Sequence, residues 1–420
     1  MTLSDILVDT SLLRRNPAFR QILIARTVSL AGLGMLAVSV PVQVYAITGS
    51  SFHVGLVAAL DGAGMFIGLL LGGVLADLYD RRRLILIARG VCGIGFVALA
   101  VNSLLVSPSV IVICTLAFWD GFFGALGVSA LMAAMPHIVG RENLMQAGAL
   151  GMMTARFATI AAPALGGAII ASAGLTWNYA LAAGATLLTV LTLLRLPPMI
   201  PAQQEAVNPL RLLGEAFSFV LGQRFVLAIF TFGTLLTLAS SMRILFPALG
   251  ADAFGGGALE VGLMYSAVPV GATIGAVLSG WARNLGRPDA VMAGMCLLAF
   301  GCVAAVGAVG HVSLALPVLA TYGYATAIAS LLQYSLLQAH TPDSQLGRVN
   351  SLWSAQDTLG DIIGALAAGL FAQALTPAGS VFALGAAAMV ASVLLAWVFG
   401  LQKRNARGFA PAGTPEGAGS

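Results

Sequence analysis

Seven charged side chains stand inside long apolar runs of this 420-residue chain: Arg26, Asp61, Asp120, Arg156, Arg243, Asp357 and Asp361. An ionised group at the centre of a bilayer costs about 2.5–3.5 kcal/mol on insertion scales. Seven turned toward lipid would exceed the net stability of an ordinary domain, about 5–15 kcal/mol. They must pair with one another, as Arg26 or Arg156 with Asp120, or face a wet cavity. Carboxylates mixed with guanidiniums suit a polar path for a proton and an anionic cargo. Asp357 and Asp361 lie four residues apart and share a helix face, so two carboxylates can hold one proton between them. Trp353 precedes Asp357 by four and joins that face. Around Asp120 the stretch FWDGFF brings Trp119 and Phe122, rings that either pack or stack on a cargo.

The composition excludes most other chemistry. Hydrophobic residues make up 59% of the chain and charged ones 9%, and the mean hydropathy is +0.95. A soluble domain is about a quarter charged, so this is an integral membrane protein. The 50 glycines suit close helix packing. Cys92, Cys114, Cys296 and Cys302 sit in apolar runs without metal-ligand spacing, and the four histidines are isolated. No metal or other cofactor is expected. Lys403 is the only lysine, so no phosphate-binding Gly-Lys loop exists. No nucleophile–base arrangement points to an enzyme, and the basic residues form no nucleic-acid face.

These charges need helices to position them. Apolar runs of about 20 residues or more, enough to cross a bilayer, fall at 20–47, 53–76, 84–106, 109–134, 146–171 and 175–196. Six more fall at 224–249, 259–282, 289–310, 313–338, 348–374 and 378–401. The expected fold is all-α, with twelve transmembrane helices in two six-helix bundles at 1–196 and 223–402. A connector at 197–222 contains a short amphipathic helix capped by Asn208 and opened by Pro209. The tail, 403–420, is expected to be disordered. The first run is too long for a secretory signal and stays as a span.

The remaining arginines gather toward one end of the bundle, in loops or near span ends: Arg14, Arg15 and Arg20, then Arg81–Arg83 and Arg89, Arg141, Arg195 to Arg224, Arg283, Arg287, Arg348 and the tail. The opposite loops carry none. The positive-inside rule places both termini in the cytoplasm. The halves also repeat. Residues 53–77 shifted by 207 fall on 260–284, aligning Gly55 with Gly262, Gly64 with Gly271 and Gly68 with Gly275. The same shift lays Gly140-Arg141-x-Asn143 on Gly347-Arg348-x-Asn350. A duplicated six-helix unit follows.

The stretch GVLADLYDRRRLI, 73–85, spends five charges in a chain short of them. It resembles the signature between spans 2 and 3 of the major facilitator superfamily, with Gly73, Asp77, Arg81 and Arg82 in place and Asp80 where glycine is usual. The resemblance implies a cytoplasmic latch: Asp77 against the start of span 11, near Arg348, when that side closes. Asn284 replaces Asp77 in the second half. In span 5, Ala162–Gly167 is similar to the antiporter element of that superfamily, carried by Pro163, Gly166 and Gly167. Span 4 has Asp120 and Phe123 where its exporters often carry the proton-coupling arginine.

Several stretches resemble the enterobactin-exporter family more closely: ARGVCGIGF (88–96), WDGFF (119–123), VGRENLMQAGA (139–149), SLLQYSLLQ (330–338) and LGRVNSLWSAQ (346–356). That resemblance implies a multi-pass protein of the bacterial inner membrane, a monomer by family habit and bathed in lipid. It implies efflux of a catecholate siderophore against protons, with an outer-membrane channel for final release. The arginines would meet catechol oxygens, and the rings would stack. A broad drug or macrolide pump, or a membrane sensor that moves nothing, remains open at this point.

Overall fold

The computed structural model describes residues 11–200 and 209–399. Twelve long helices run through it, labelled α1 (Pro17–Thr48), α2 (Ser51–Leu78), α3 (Arg81–Leu104), α4 (Val110–Val139), α5 (Leu144–Ala173), α6 (Leu175–Leu193), α7 (Arg224–Ala253), α8 (Ala258–Val277), α9 (Pro288–Ala308), α10 (Val312–Ala339), α11 (Asp343–Ala374) and α12 (Pro377–Val398). Each expected run is a helix within a few residues of its bounds. Ten are long and apolar enough to cross a membrane. The other two, α6 and α11, carry more polar groups. Those of α6 are satisfied in place: Asn178 bonds Ser39, and the Tyr179 hydroxyl donates to Gln43 at 2.6 Å. No strand occurs among the described residues.

The helix ends follow local rules. Asn16 caps α1 by accepting from the Phe19 amide at 3.0 Å, with Pro17 at the first position, and α1 ends on Gly49 at φ 60°. Asp80 caps α3. Glu260 reaches back to the Gly257 amide at 2.7 Å to start α8. The connector helix spans Pro209–Gly222. Its expected cap, Asn208, and the tail expected to be disordered lie outside the described residues.

Helix α7 is not uniform. After Ser240 it tightens to a 3₁₀ turn, Ser241–Leu245, and loosens to a π turn, Leu249–Ala253. Pro247 has no amide hydrogen, so the Arg243 carbonyl four residues earlier loses its helical donor. It accepts instead from the Phe246 amide in the 3₁₀ turn and from the Tyr265 hydroxyl of α8 at 2.9 Å.

The first six helices pack as one bundle and the last six as another, in matching ways. In the first, Gly64 and Gly68 of α2 meet Phe118 and Phe122 of α4, and Gly121 meets the Asp61 carbonyl. In the second, Gly271 and Gly275 of α8 meet Ala320 and Tyr324 of α10, and Gly323 meets the Val268 carbonyl. Only glycine allows such backbone approach. The 207-residue shift therefore holds for α2 and α8, while a shorter one relates α4 to α10. One expectation is corrected by this. Gly140 ends α4 at φ 77°, whereas Gly347 lies within α11, so the two Gly-Arg-x-Asn stretches are not structural counterparts.

The bundles meet along two crossings, α2 with α11 and α5 with α8. Phe52 and Gly55 pack on Gly369 and Ala365 in one; Leu259 and Gly262 pack on Gly167 and Pro163 in the other. These are copies of a single contact. All lie far from the end that carries Arg81 and Arg348, here called the basic end.

Candidate functional site

Counting 1.5 Å per residue from the basic end, Asp61, Asp120, Arg243 and Asp361 all lie about 25–29 Å deep, on α2, α4, α7 and α11. The tight turn of α7 aims Arg243 at α11, where its Nη2 meets Asp361 Oδ2 at 2.9 Å. Ser240 donates to the other Asp361 oxygen at 3.2 Å, and Thr237, one turn earlier, donates to Asp357 at 3.2 Å. The shared face expected of Asp357 and Asp361 is the face turned to α7. Arg243 and Asp361 keep 47% and 35% of their side-chain surface exposed, so the ion pair is wet rather than sealed.

Glycines bring the first bundle to this pair. Gly62 of α2 lies under Ile362 of α11, and Gly121 of α4 lies against Asp61. Asp61 thereby stands within Coulombic reach of both Asp120 and Arg243. Asp120 Oδ1 is buried with no hydrogen-bond partner, and Arg89 of α3 lies within Coulombic reach of the carboxylate. The pairing expected of Arg26 or Arg156 with Asp120 does not form. The layer thus runs Asp120, Asp61, Arg243, Asp361, with a single arginine among three carboxylates.

Arg26, Arg156 and Trp353 lie nearer the basic end, about 14–18 Å deep. Arg26 is exposed and rests on Gly151 of α5; Arg156 is exposed. Trp353 packs edge-on against Phe230 at 5.2 Å between centroids. Trp119 is turned toward α3: its indole N–H donates to the Val91 carbonyl of α3 at 3.1 Å, and its ring packs tilted against Phe123 at 5.0 Å. Phe122 packs on Phe123 at 5.0 Å and lies on the α2–α4 crossing. Both rings act in packing here.

At the basic end the expected latch is open. Asp77 is 55% exposed and pairs with Arg81 at 3.9 Å. No hydrogen bond or ion pair joins it to α11 among the described residues. Nothing lies within 4 Å of a methyl placed on Gly73. Arg81 is buried and held by the Ala76 and Ala133 carbonyls at 3.2 and 2.9 Å, with His137 Nδ1 at 3.0 Å. Arg82 donates to the Leu194 carbonyl at 2.5 Å. Asp80 accepts from the amides of Arg82 and Met199, at 3.0 and 2.9 Å, which ties the loop to the start of the connector. Arg348 is half-buried at the start of α11. Pro163 and Gly167 form the α5–α8 crossing, and Gly166 packs on Met35 of α1.

Sequence reasoning missed three features. Arg89 reads as one more arginine of the basic end, yet from within α3 it lies in Coulombic reach of Asp120. Gln356 places both amide atoms in buried positions without partners, beside Trp353 and Gly233. At the far end the Tyr45 hydroxyl donates to Asp252 at 2.5 Å, joining the bundles. The repeat offset itself pairs these two positions and was the signal available.

The profile of the family described as Transmembrane secretion effector matches residues 11–416. An "Enterobactin exporter EntS" from Shigella boydii is 46% identical over 389 residues, 93% of each chain. Those of Citrobacter koseri and Escherichia coli O6:K15:H31 are 44% and 45% identical over 412 residues, covering 98% of this chain and 98% and 99% of theirs. Among solved structures, the nucleoside transporter NupG superposes with a TM-score of 0.72 at 15% identity, over 92% of this chain and 100% of that one. A bacterial homologue of the iron transporter ferroportin, in an inward-facing state, superposes with a TM-score of 0.68 at 17% identity, over 92% and 99%. With its duplicated helices, its layer of charged side chains at mid-depth and a match along nearly its whole length, the chain belongs to the transmembrane secretion effector family of the major facilitator superfamily.

Proposed function

We propose that this protein exports a catecholate siderophore across the bacterial inner membrane by alternating access, coupled to proton entry. The observation that carries the reading is the half-exposed Arg243–Asp361 pair at 2.9 Å, set in a layer with Asp61 and Asp120. A sealed ion pair repays its desolvation only with good geometry and further hydrogen bonds; this one stays part-exposed at mid-depth, where its partners can be exchanged. Kinship to exporters named for enterobactin supplies the substrate class.

The basic end is the cytoplasmic one by the positive-inside rule, with both termini there. The bundles part at that end and close at the other, so cargo enters from the cytoplasm. Arg243 offers the anionic cargo a cation that Asp361 otherwise holds. A proton on Asp361 frees the guanidinium, and return of the carboxylate displaces the cargo. Asp61 and Asp120 pass the proton between bundles. Rocking then opens the crossings of Gly55 and Gly262 and closes the latch of Asp77 on α11. The protein works as a monomer embedded in lipid, and an outer-membrane channel completes release. Residues 1–196 and 223–402 are the two moving bodies, linked by 197–222.

The test is a deletion strain grown in low iron. The reading predicts that catecholate builds up inside the cells and that drug susceptibility is unchanged. Normal secretion with raised macrolide susceptibility would replace it with a drug pump. Unchanged secretion and susceptibility would replace it with a protein that transports nothing.

A further inference from the structure

The two bundles carry one packing joint with its parts exchanged. In the first, Arg26 of α1 lies over Gly151 of α5; a methyl on Gly151 would stand 2.9 Å from Arg26 Nη1. The shift that pairs Gly55 with Gly262 pairs Arg26 with Gly233. The shift that pairs Pro163 with Ala365 pairs Gly151 with Trp353. In the second bundle, accordingly, the glycine is on α7 and the large side chain on α11: a methyl on Gly233 would stand 2.8 Å from Trp353 Cη2. Each joint fits one large group over one glycine. The exchange places a guanidinium on one bundle and an indole on the other, at the same depth about the pseudo-twofold axis.

Two further observations make this a binding arrangement rather than packing alone. Arg26 has no ion pair or hydrogen bond among the described residues, and it is exposed although α1 is ringed by α2, α4, α5, α6 and α8. An unpaired arginine at this depth is tolerated only beside water, and the space between the bundles is where a membrane-embedded α1 can meet it. Beside Trp353, the Gln356 amide has both Oε1 and Nε2 buried and unpartnered. A buried orphan amide is costly, and a ligand that pairs with it recovers that cost.

We propose that Arg26, Trp353 and Gln356 form an entrance subsite for a single aromatic ring bearing ionisable hydroxyls, met before the cargo reaches the Arg243 layer. Arg26 pairs with the ring oxygens from one bundle. Trp353 stacks on the ring and Gln356 bonds a hydroxyl from the other. Because the walls belong to different bundles, a ring held by both draws the basic end closed. The subsite rests on the export reading above and gives it a place where an aromatic cargo is told from an aliphatic one.

The experiment measures binding of a radiolabelled tris-catecholate siderophore, and of a trihydroxamate siderophore as control, to the full-length protein in nanodiscs. Wild type is expected to bind the catecholate and not the hydroxamate. Arg26→Gln and Trp353→Leu should each weaken catecholate binding on the order of tenfold, and the double variant by less than the product, because both contact one ring. Trp353→Phe, which keeps a ring, should stay near wild type. Unchanged affinity in both single variants, with wild type binding, overturns the subsite and leaves export standing. Losses that simply multiply, or equal loss in Trp353→Phe, also overturn it. A wild-type protein that binds no catecholate overturns the export reading itself.

Discussion

Tyr45 and Asp252 occupy the same place in the two halves, and their side chains meet: the tyrosine hydroxyl donates to Asp252 Oδ2 at 2.5 Å, across 207 residues. That separation is the repeat offset itself, so the bond sits on the pseudo-twofold axis. Below it, the paired crossings of Gly55 on Ala365 and Gly262 on Pro163 close the far end twice over. A duplicated fold contacts itself at equivalent points, and small changes there act on the balance between its two states.

Tyr45→Phe removes a charge-assisted bond and no packing. The bond is exposed, so its loss is worth about 1 kcal/mol, a shift of about fivefold toward the state open at the far end. Distance measurements by paired spin labels near residues 49 and 255 should show a second, longer population. An unchanged distribution would mean that the bond has no part in closure.

Gly55→Leu and Gly262→Leu test the crossings. Each side chain would enter the backbone of the facing helix, at Ala365 and at Pro163 respectively. Overpacking of this sort costs about 1–3 kcal/mol, or forces the helices apart. Both variants should insert normally and lose export, with raised thiol labelling of cysteines placed at the far end. The two should behave alike because the sites are counterparts. Full export by either would show that the contact is incidental.

Asp361→Asn leaves Arg243 without its carboxylate, and Arg243→Gln leaves Asp361 without its cation. Removing one partner leaves an uncompensated charge at mid-depth, which is worse than removing both. Each single variant should lose most siderophore secretion. The double variant should recover stability, measured as the melting temperature in detergent, without recovering secretion. Secretion at wild-type level in either single variant would remove the pair from the mechanism.

Asp80 has a structural task. Its carboxylate caps α3 and takes the Met199 amide at 2.9 Å. Asp80→Ala should cost about 1 kcal/mol of stability and increase proteolysis within the connector. Asp80→Gly should cost less as a cap but still free the connector. An uncut connector in both would break the assigned link.

The helices were legible because each apolar run is long and polar groups mark its limits. The i,i+4 spacing of Asp357 and Asp361 also forecast their common face. Depth and neighbours were harder. Arg89 groups in sequence with three arginines of the basic end, but it stands two turns inside α3 and its neighbours there have no sequence mark. For Trp119 the sequence leaves packing and stacking both open; its N–H finds the Val91 carbonyl, a partner 28 residues away with no sequence mark. Arg243 was legible as an intramembrane charge. Its aim at Asp361 depends on the tight turn before Pro247, which the helical period does not reveal.

The most direct measurement is uptake of a labelled tris-catecholate siderophore into inside-out vesicles holding the protein, with and without an inward-acid pH gradient. The account predicts uptake above protein-free vesicles, faster with the gradient, and abolished in Asp361→Asn. Uptake equal to that of protein-free vesicles would contradict export. Uptake that ignores both the gradient and Asp361→Asn would contradict the coupling assigned to the charged layer.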